Sequence, residues 1–218
     1  MPILAPSDAV SDDVLEIATP HGPARAHLRH ATRPRAALLI GHGAGGSIEA
    51  ADLLAAVDAA LAASVSVARI EQPYRVAGRR SAPPAPKLDE AWLAVHAALT
   101  AGAGAPLADV PLLSGGRSSG ARVACRTAIA TRVIGVICLA FPLHPPQRKT
   151  DAARKTRLPE LEAVPVPVLV IGGDRDPFGL PPSSPTRTVV TVAGNHSLKS
   201  GIAEVGPAVS SWLSVTLP

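Results

Sequence analysis

From Ala36 onward the chain alternates between two apolar patterns, and that alternation restricts its architecture more than any other property of the sequence. Ala36-Ala37-Leu38-Leu39-Ile40, Val65 to Ile70, Val110 to Ser114, Val133 to Phe141, Val166 to Ile171 and Thr188 to Val192 are short runs that read as strands. Between them, Leu53, Leu54, Val57 and Leu61 recur at helical spacing, as do Leu88, Trp92, Val95 and Leu99. Val123, Cys125 and Ile129 are apolar positions of a further helix, and a charged stretch after Pro146 reads as helical up to Leu161. Strands without a polar face must be covered on both sides, so the pattern predicts an α/β fold: a mostly parallel twisted sheet with helices on both faces. Ligands then belong at the carboxyl ends of the strands. Val14 to Ile17 and Arg25 to Arg29 flank the turn-rich Thr19-Pro20-His21-Gly22-Pro23, so an antiparallel hairpin should open the sheet. The loop from Gln72 to Pro86 is rich in Arg and Pro. Leu198, Ile202, Val205, Val209 and Trp212 stripe a closing helix, which Gly206-Pro207 should kink or restart.

Composition narrows the function classes. With 218 residues, the chain is expected to form one domain spanning residues 1–218. Hydrophobic residues make up 47%, enough for a two-sided sheet, whereas aromatics are only 2%, too few for a base-stacking platform. The net charge of +4 is dispersed along the chain, which describes a solvated surface and gives no expectation of a nucleic-acid partner. Cys125 and Cys138 both sit in apolar runs, so a disulfide is not indicated and a reducing cytoplasm fits. Residues 1–13 lack a basic-then-apolar signal, and no apolar run reaches the roughly 18 residues that span a bilayer. A soluble, cytoplasmic protein without a membrane partner is the expectation.

Gly116-Arg117-Ser118-Ser119-Gly120 follows one of the strand runs and precedes a helix, the context of a nucleophile elbow. A serine hydroxyl needs a neutral imidazole to take its proton, and the imidazole needs a carboxylate to fix its tautomer. Each of the last two strands supplies a candidate: Asp174 and Asp176 after one, His196 after the other. Ser118, Asp176 and His196 are therefore the expected catalytic residues, with Asp174 as the alternative acid. The developing oxyanion needs backbone amides; the expected donors are Ser119, which opens a helix, and Ala44 in the Gly41-His42-Gly43-Ala44-Gly45-Gly46 loop. His42 is expected to hold that loop. A rival reading exists, because Gly41, Gly43 and Gly46 spell G-x-G-x-x-G and Glu71 ends the next strand, as in a dinucleotide-binding oxidoreductase. It leaves Ser118, Asp176 and His196 without a shared task.

Taken together, several motifs resemble the α/β-hydrolase superfamily, dienelactone-hydrolase-like, and in particular its testis-expressed and NSL-complex-subunit-three branch. They are Leu39 to Gly46, Tyr74 with Gly78-Arg79-Arg80, Gly115-Gly116-Arg117-Ser118, Phe141 to Pro146, Gly173 to Gly179, and Asn195-His196-Ser197. The resemblance implies an α/β-hydrolase core without a large cap and assigns nucleophile, acid and base to Ser118, Asp176 and His196. Two departures stand out: Ala121 where relatives repeat glycine, and the proline-rich Leu180 to Thr186 where a helix commonly follows the acid. The second predicts a shortened, more open rim. Arg117, Arg79 and Arg80 have two readings: they bind an anionic substrate group, or, as favoured here, Arg117 pairs with a buried acid such as Glu71 while Arg79 and Arg80 are solvated; His144 is expected to be structural. The resulting expectation is a serine hydrolase that acts on a small carboxylic-ester or acyl substrate through an acyl-enzyme, with no metal and no organic cofactor. The competing expectation is a catalytically silent hydrolase-fold module that binds a protein.

Overall fold

Alternate residues of the central strands pack into opposite cores, as strand geometry requires. In β3 (Ala36–Gly41), Leu38 and Ile40 join one apolar cluster while Ala37 and Leu39 join another. The computed structural model describes residues 12–102, 104–146 and 155–218. One sheet has eight strands: β1 (Asp13–Ile17), β2 (Ala24–Arg29), β3, β4 (Val65–Glu71), β5 (Leu112–Arg117), β6 (Gly135–Leu139), β7 (Val168–Gly173) and β8 (Arg187–Val192). Their spatial order is β1-β2-β4-β3-β5-β6-β7-β8. The pairings β1–β2 and β2–β4 are antiparallel and all others parallel, so the hairpin opens the sheet as expected.

α1 (Ala51–Ala62) and α6 (Ile202–Thr216) cover one face. α3 (Ala85–Thr100), α4 (Ser119–Thr131) and α5 (Leu158–Glu162) cover the other. Leu38, Leu39, Ile40, Leu113 and Ile137 are almost wholly buried, each worth about 1.5–3 kcal/mol relative to exposure. Cys125 and Cys138 are free thiols within this core, 3.5 Å apart; the hydrogen bond between them and burial push the Cys138 pKa well up. No helix among the described residues is long and apolar enough to cross a membrane.

Several boundaries differ from the sequence expectations. The strand before the elbow runs from Leu112 through Gly115 and Gly116 to Arg117, because parallel pairing to β3 and β6 continues through the glycines. β6 occupies only Gly135–Leu139 of the buried run Val133 to Phe141. Within the Gln72 to Pro86 loop lies a one-turn helix, α2 (Pro73–Val76), and α3 starts before the loop was expected to end, with Pro86 in its first turn where no N–H is required. Ile129 is 66% exposed, since α4 buries the rows through Val123, Ala124, Cys125 and Ala128. Much of the stretch expected to be helical after Pro146 lies outside the described residues, and the described part holds only α5. Leu198 precedes α6 at φ +54°, and α6 continues through Pro207. Pro207 forgoes one bond near the helix start, while Val205, Val209 and Leu213 bury the helix against the sheet and α1. Residues 180–183 are not helical, in keeping with the expected shortened rim, and the segment 140–167 between β6 and β7 carries no helix besides α5 among its described residues.

Candidate active site

The parallel strands end along one edge, and β5 delivers Ser118 there. Ser118 adopts φ +52° and ψ −107°, a conformation that costs a non-glycine residue about 1–3 kcal/mol. Its N–H donates to the Leu139 carbonyl at 2.8 Å, and α4 begins with the next residue. Close approach accounts for the flanking glycines. A Cβ on Gly116 would lie 2.4 Å from the Gly120 carbonyl carbon, and one on Gly120 would lie 2.5 Å from the Gly41 carbonyl oxygen. The turn is thus pressed against the end of β3.

The loops after β7 and β8 bring the expected acid and base to this serine. His196 Nε2 lies 2.9 Å from Ser118 Oγ, and His196 Nδ1 lies 2.7 Å from Asp176 Oδ2. An ionised carboxylate only accepts, so Nδ1 carries the proton and Nε2 is free to accept from the serine hydroxyl. The Asp176 side chain is 1% exposed and its Oδ1 accepts the Phe178 N–H at 2.9 Å. The Phe178 ring meets the imidazole edge-on, with centroids 4.6 Å apart. Asp174, the alternative acid, is turned elsewhere: its Oδ1 accepts the Gly194 N–H at 2.7 Å and so ties the acid loop to the base loop. The His144 backbone N–H donates to the Phe178 carbonyl at 2.9 Å and its Nδ1 bonds the Lys155 carbonyl.

On the other side of Ser118 lies the loop after β3. A Cβ on Gly43 would stand 3.5 Å from Ser118 Cβ and 3.0 Å from an Arg117 guanidinium nitrogen. His42 is buried, its Nε2 accepts the Gln72 N–H at 3.1 Å, and Nδ1 therefore donates to the Gly43 carbonyl at 2.8 Å. Burial disfavours its imidazolium and lowers its pKa, against the opposing pull of the Gly43 carbonyl. Tyr74 donates its hydroxyl to the Ala44 carbonyl at 2.7 Å; burial raises its pKa to about 12, so the phenol keeps its proton. The Ala44 N–H makes no hydrogen bond among the described residues. Ser119 is the first residue of α4, where amides lack helical partners. The dinucleotide reading loses its geometry here. Gly46 closes a turn onto Gly43, and residues Ser47 to Ala50 separate it from α1, whereas the fingerprint needs its third glycine at the helix start.

Arg117 pairs with Asp52 and not with Glu71. Its Nε donates to Asp52 Oδ2 at 2.8 Å, and its Nη2 donates to the His196 carbonyl at 2.9 Å. Glu71 instead stands opposite Arg25 in the β2–β4 register and makes no ion pair with Arg117 among the described residues. Asp52 is 2% exposed and also accepts the Leu53 N–H. Its one sequence signal is an acid at the start of a buried apolar helix, a position equally suited to the helix dipole. Arg117 therefore joins the nucleophile turn, α1 and the base loop. Among the described residues, no group of three or more His, Cys, Asp or Glu side chains is arranged to hold a metal ion.

Comparison with known proteins agrees with this architecture. Among solved structures, XC6422 from Xanthomonas campestris, described as an α/β serine hydrolase without lid, superposes with a TM-score of 0.75 at 19% identity, covering 98% of this chain and 99% of that one. Est1E from Butyrivibrio proteoclasticus gives 0.72 at 17% identity over 93% of this chain and 98% of its own. A dienelactone hydrolase from Anabaena variabilis gives 0.71 at 15% identity over 95% and 98% respectively. At these identities the likeness is one of fold. No curated protein sequence matches the chain. Residues 34–204 match the family described as alpha/beta hydrolase domain, a span running from just before β3 into α6, and the chain belongs to that family.

Proposed function

We propose that the protein is a serine hydrolase of carboxylic esters or related acyl compounds. The observation that carries this reading is the continuous chain from Asp176 through His196 to Ser118, with contacts of 2.7 and 2.9 Å, on a serine held at positive φ. Ser118 Oγ attacks the acyl carbon while His196 Nε2 takes its proton, and Asp176 stabilises the resulting imidazolium. The bond to the leaving alcohol then breaks as His196 returns the proton to the departing oxygen, leaving an acyl-serine. Water, deprotonated by His196, attacks that ester and releases the acid. In this reading the Ala44 and Ser119 amides receive the oxyanion, and each such donor is worth about 3–4 kcal/mol of barrier where tested. The Ala44 N–H is suited to the task because the carbonyl of its own peptide group, that of Gly43, is held by His42 Nδ1 and the Gly46 N–H, Tyr74 fixes the following carbonyl, and the N–H itself is unpaired among the described residues. The motif set also supports a finer placement, near the testis-expressed and NSL-complex-subunit-three branch.

Fluorophosphonate labelling and hydrolysis of 4-nitrophenyl esters test the proposal. The wild type should label at Ser118, and Ser118→Ala should lower kcat by about 10⁴ to 10⁶. A folded wild type that neither labels nor hydrolyses a panel of esters would overturn it in favour of a silent binding module; labelling that persists in Ser118→Ala would move the nucleophile elsewhere.

A further inference from the structure

Two Phe, two Trp and one Tyr are the only aromatic side chains of this type in the chain. Tyr74, Trp92, Phe141 and Trp212 are built into the apolar clusters, none more than 6% exposed. Phe178 is in none of these clusters and is only half-buried, in the loop that follows β7. Core packing therefore does not account for it. Its ring instead meets the His196 imidazole edge-on, with centroids 4.6 Å apart. We infer that Phe178 is a positioning residue for the Asp176–His196 pair, holding the carboxylate with its main-chain N–H and the imidazole with its ring; the inference rests on the hydrolase reading above.

The ring contact restricts a motion that the hydrogen bonds leave open. Nδ1 and Nε2 tie the imidazole to Asp176 and Ser118, but the ring can still tip about the line joining those bonds, which weakens both as they leave the ring plane. The Phe178 ring blocks that motion on one side. The same residue holds the acid: Asp176 Oδ1 accepts the Phe178 N–H at 2.9 Å while Oδ2 accepts from His196. The carboxylate is 1% exposed, so water does not replace a bond lost by turning it. Phe178 is itself braced by a second segment. No helix follows the acid at residues 180–183, and the chain after β6 supplies the support. The Phe178 carbonyl accepts the His144 N–H at 2.9 Å, and a Cβ on Gly179, which has φ +75°, would stand 3.1 Å from the His144 ring. His144 Nδ1 donates to the Lys155 carbonyl, while Arg157 donates its N–H to the Leu143 carbonyl at 2.7 Å and Nη1 to the Pro142 carbonyl at 2.9 Å. Phe178 thus couples the acid and the base to a braced wall of the site.

The test uses Phe178→Ala, Phe178→Leu and Phe178→Tyr, all of which keep the main-chain N–H. With 4-nitrophenyl acetate, Phe178→Ala should lower kcat by about 10- to 100-fold, and Phe178→Tyr, which keeps the ring, should stay within about three-fold of the wild type. Phe178→Leu keeps apolar bulk without the ring; it should also lose kcat, and it is the variant read should Phe178→Ala fail to fold. Proton NMR reads the pair directly. The far-downfield resonance of an Nδ1–H shared with a carboxylate should be present in the wild type, absent in His196→Ala, kept in Phe178→Tyr and lost in the variants without the ring. Loss of both kcat and the resonance in those variants, with both restored by Phe178→Tyr, supports the inference. A kcat within about two-fold of the wild type in Phe178→Ala and Phe178→Leu overturns it while the hydrolase reading stands. A lower kcat with the resonance intact also overturns it, because the ring would then act on the substrate, as does a Phe178→Tyr variant that restores neither. Should no ester be hydrolysed and no fluorophosphonate label be taken up, the hydrolase reading fails and the resonance alone decides whether Phe178 holds the pair. Absence of the resonance from the wild type would then overturn the inference as well.

Discussion

On the β7–β8 side of the elbow, His196 reaches Ser118 and Asp176 reaches His196 through direct hydrogen bonds between side chains. On the β3–β4 side, the loop Gly41 to Gly46 offers backbone, and residues from other segments set its shape. His42 anchors it to Gln72, Tyr74 grips Ala44, and Arg117 packs beside Gly43. Just beyond the loop, Arg69 donates to the Ile48 carbonyl and to Glu49, and it pairs with Asp12 next to the hairpin. The difference teaches where each function is stored. In the proposed mechanism, proton transfer needs particular side chains, so it would be written in the residues that perform it. Oxyanion binding needs amides at particular positions, so it would be written in the residues that hold the backbone.

The largest expected effect divides the two acids on the side-chain half. Asp176→Asn should lower kcat by about 10⁴, since the amide favours the wrong imidazole tautomer, whereas Asp174→Asn retains an acceptor for the Gly194 N–H and should stay within a few-fold. Steady-state kinetics of both variants check this, and equal losses would end the distinction between Asp174 and Asp176.

Arg117 links the two halves, so its removal should be felt on both. Arg117→Met leaves Asp52 buried without its cation and should cost about 3–5 kcal/mol of stability, measurable by urea unfolding. Arg117→Met combined with Asp52→Leu should recover much of that stability, because the uncompensated charge is gone. It should not recover kcat, because the His196 carbonyl still lacks its donor. Full recovery of kcat in the double variant would show that Arg117 serves stability alone.

A smaller effect is expected on the backbone half. Tyr74→Phe removes one neutral hydrogen bond, worth about 0.5–1.5 kcal/mol, and should lower kcat by up to about 10-fold with little change in KM. Its kcat/KM for neutral esters is the measurement. The smallest expected effect comes from Asp12. Burial would raise its pKa, but hydrogen bonds and charge from Arg29 and Arg69 outweigh burial and lower it below the ordinary value of 3.8. A carboxylate depressed on folding contributes stability that is complete above the unfolded value and is lost as pH falls through the folded one. Acid titrations of wild type and Asp12→Asn should therefore differ in slope below about pH 4, with the variant's stability falling less steeply.

The strand and helix series was legible because burial imposes a local period. Leu38-Leu39-Ile40 could only be a two-sided strand, and Leu88, Trp92, Val95 and Leu99 could only share a helix face. Element ends were less legible. Gly115 and Gly116 look like turn residues, yet pairing with β3 and β6 keeps them in the sheet, and Ile129 looks like core until α4 is rotated by its neighbours. Pro207 looks like a break, yet the burial of Val205 and Val209 holds the helix through it.

For the candidate site, sequence alone named Ser118, Asp176, Asp174, His196, Ala44 and Ser119, because each follows a strand and each type has few chemical uses there. Tertiary structure decided which acid meets the imidazole, since Asp174 and Asp176 share a loop and differ only in where the turn points their carboxylates. It also decided the partner of Arg117, since charge complementarity in a sequence does not distinguish Glu71 from Asp52, and only the packing of α1 on the elbow brings the latter within 2.8 Å. Local patterns carry what a residue can do. Which partner it meets depends on the directions that the fold imposes on side chains far apart in the chain.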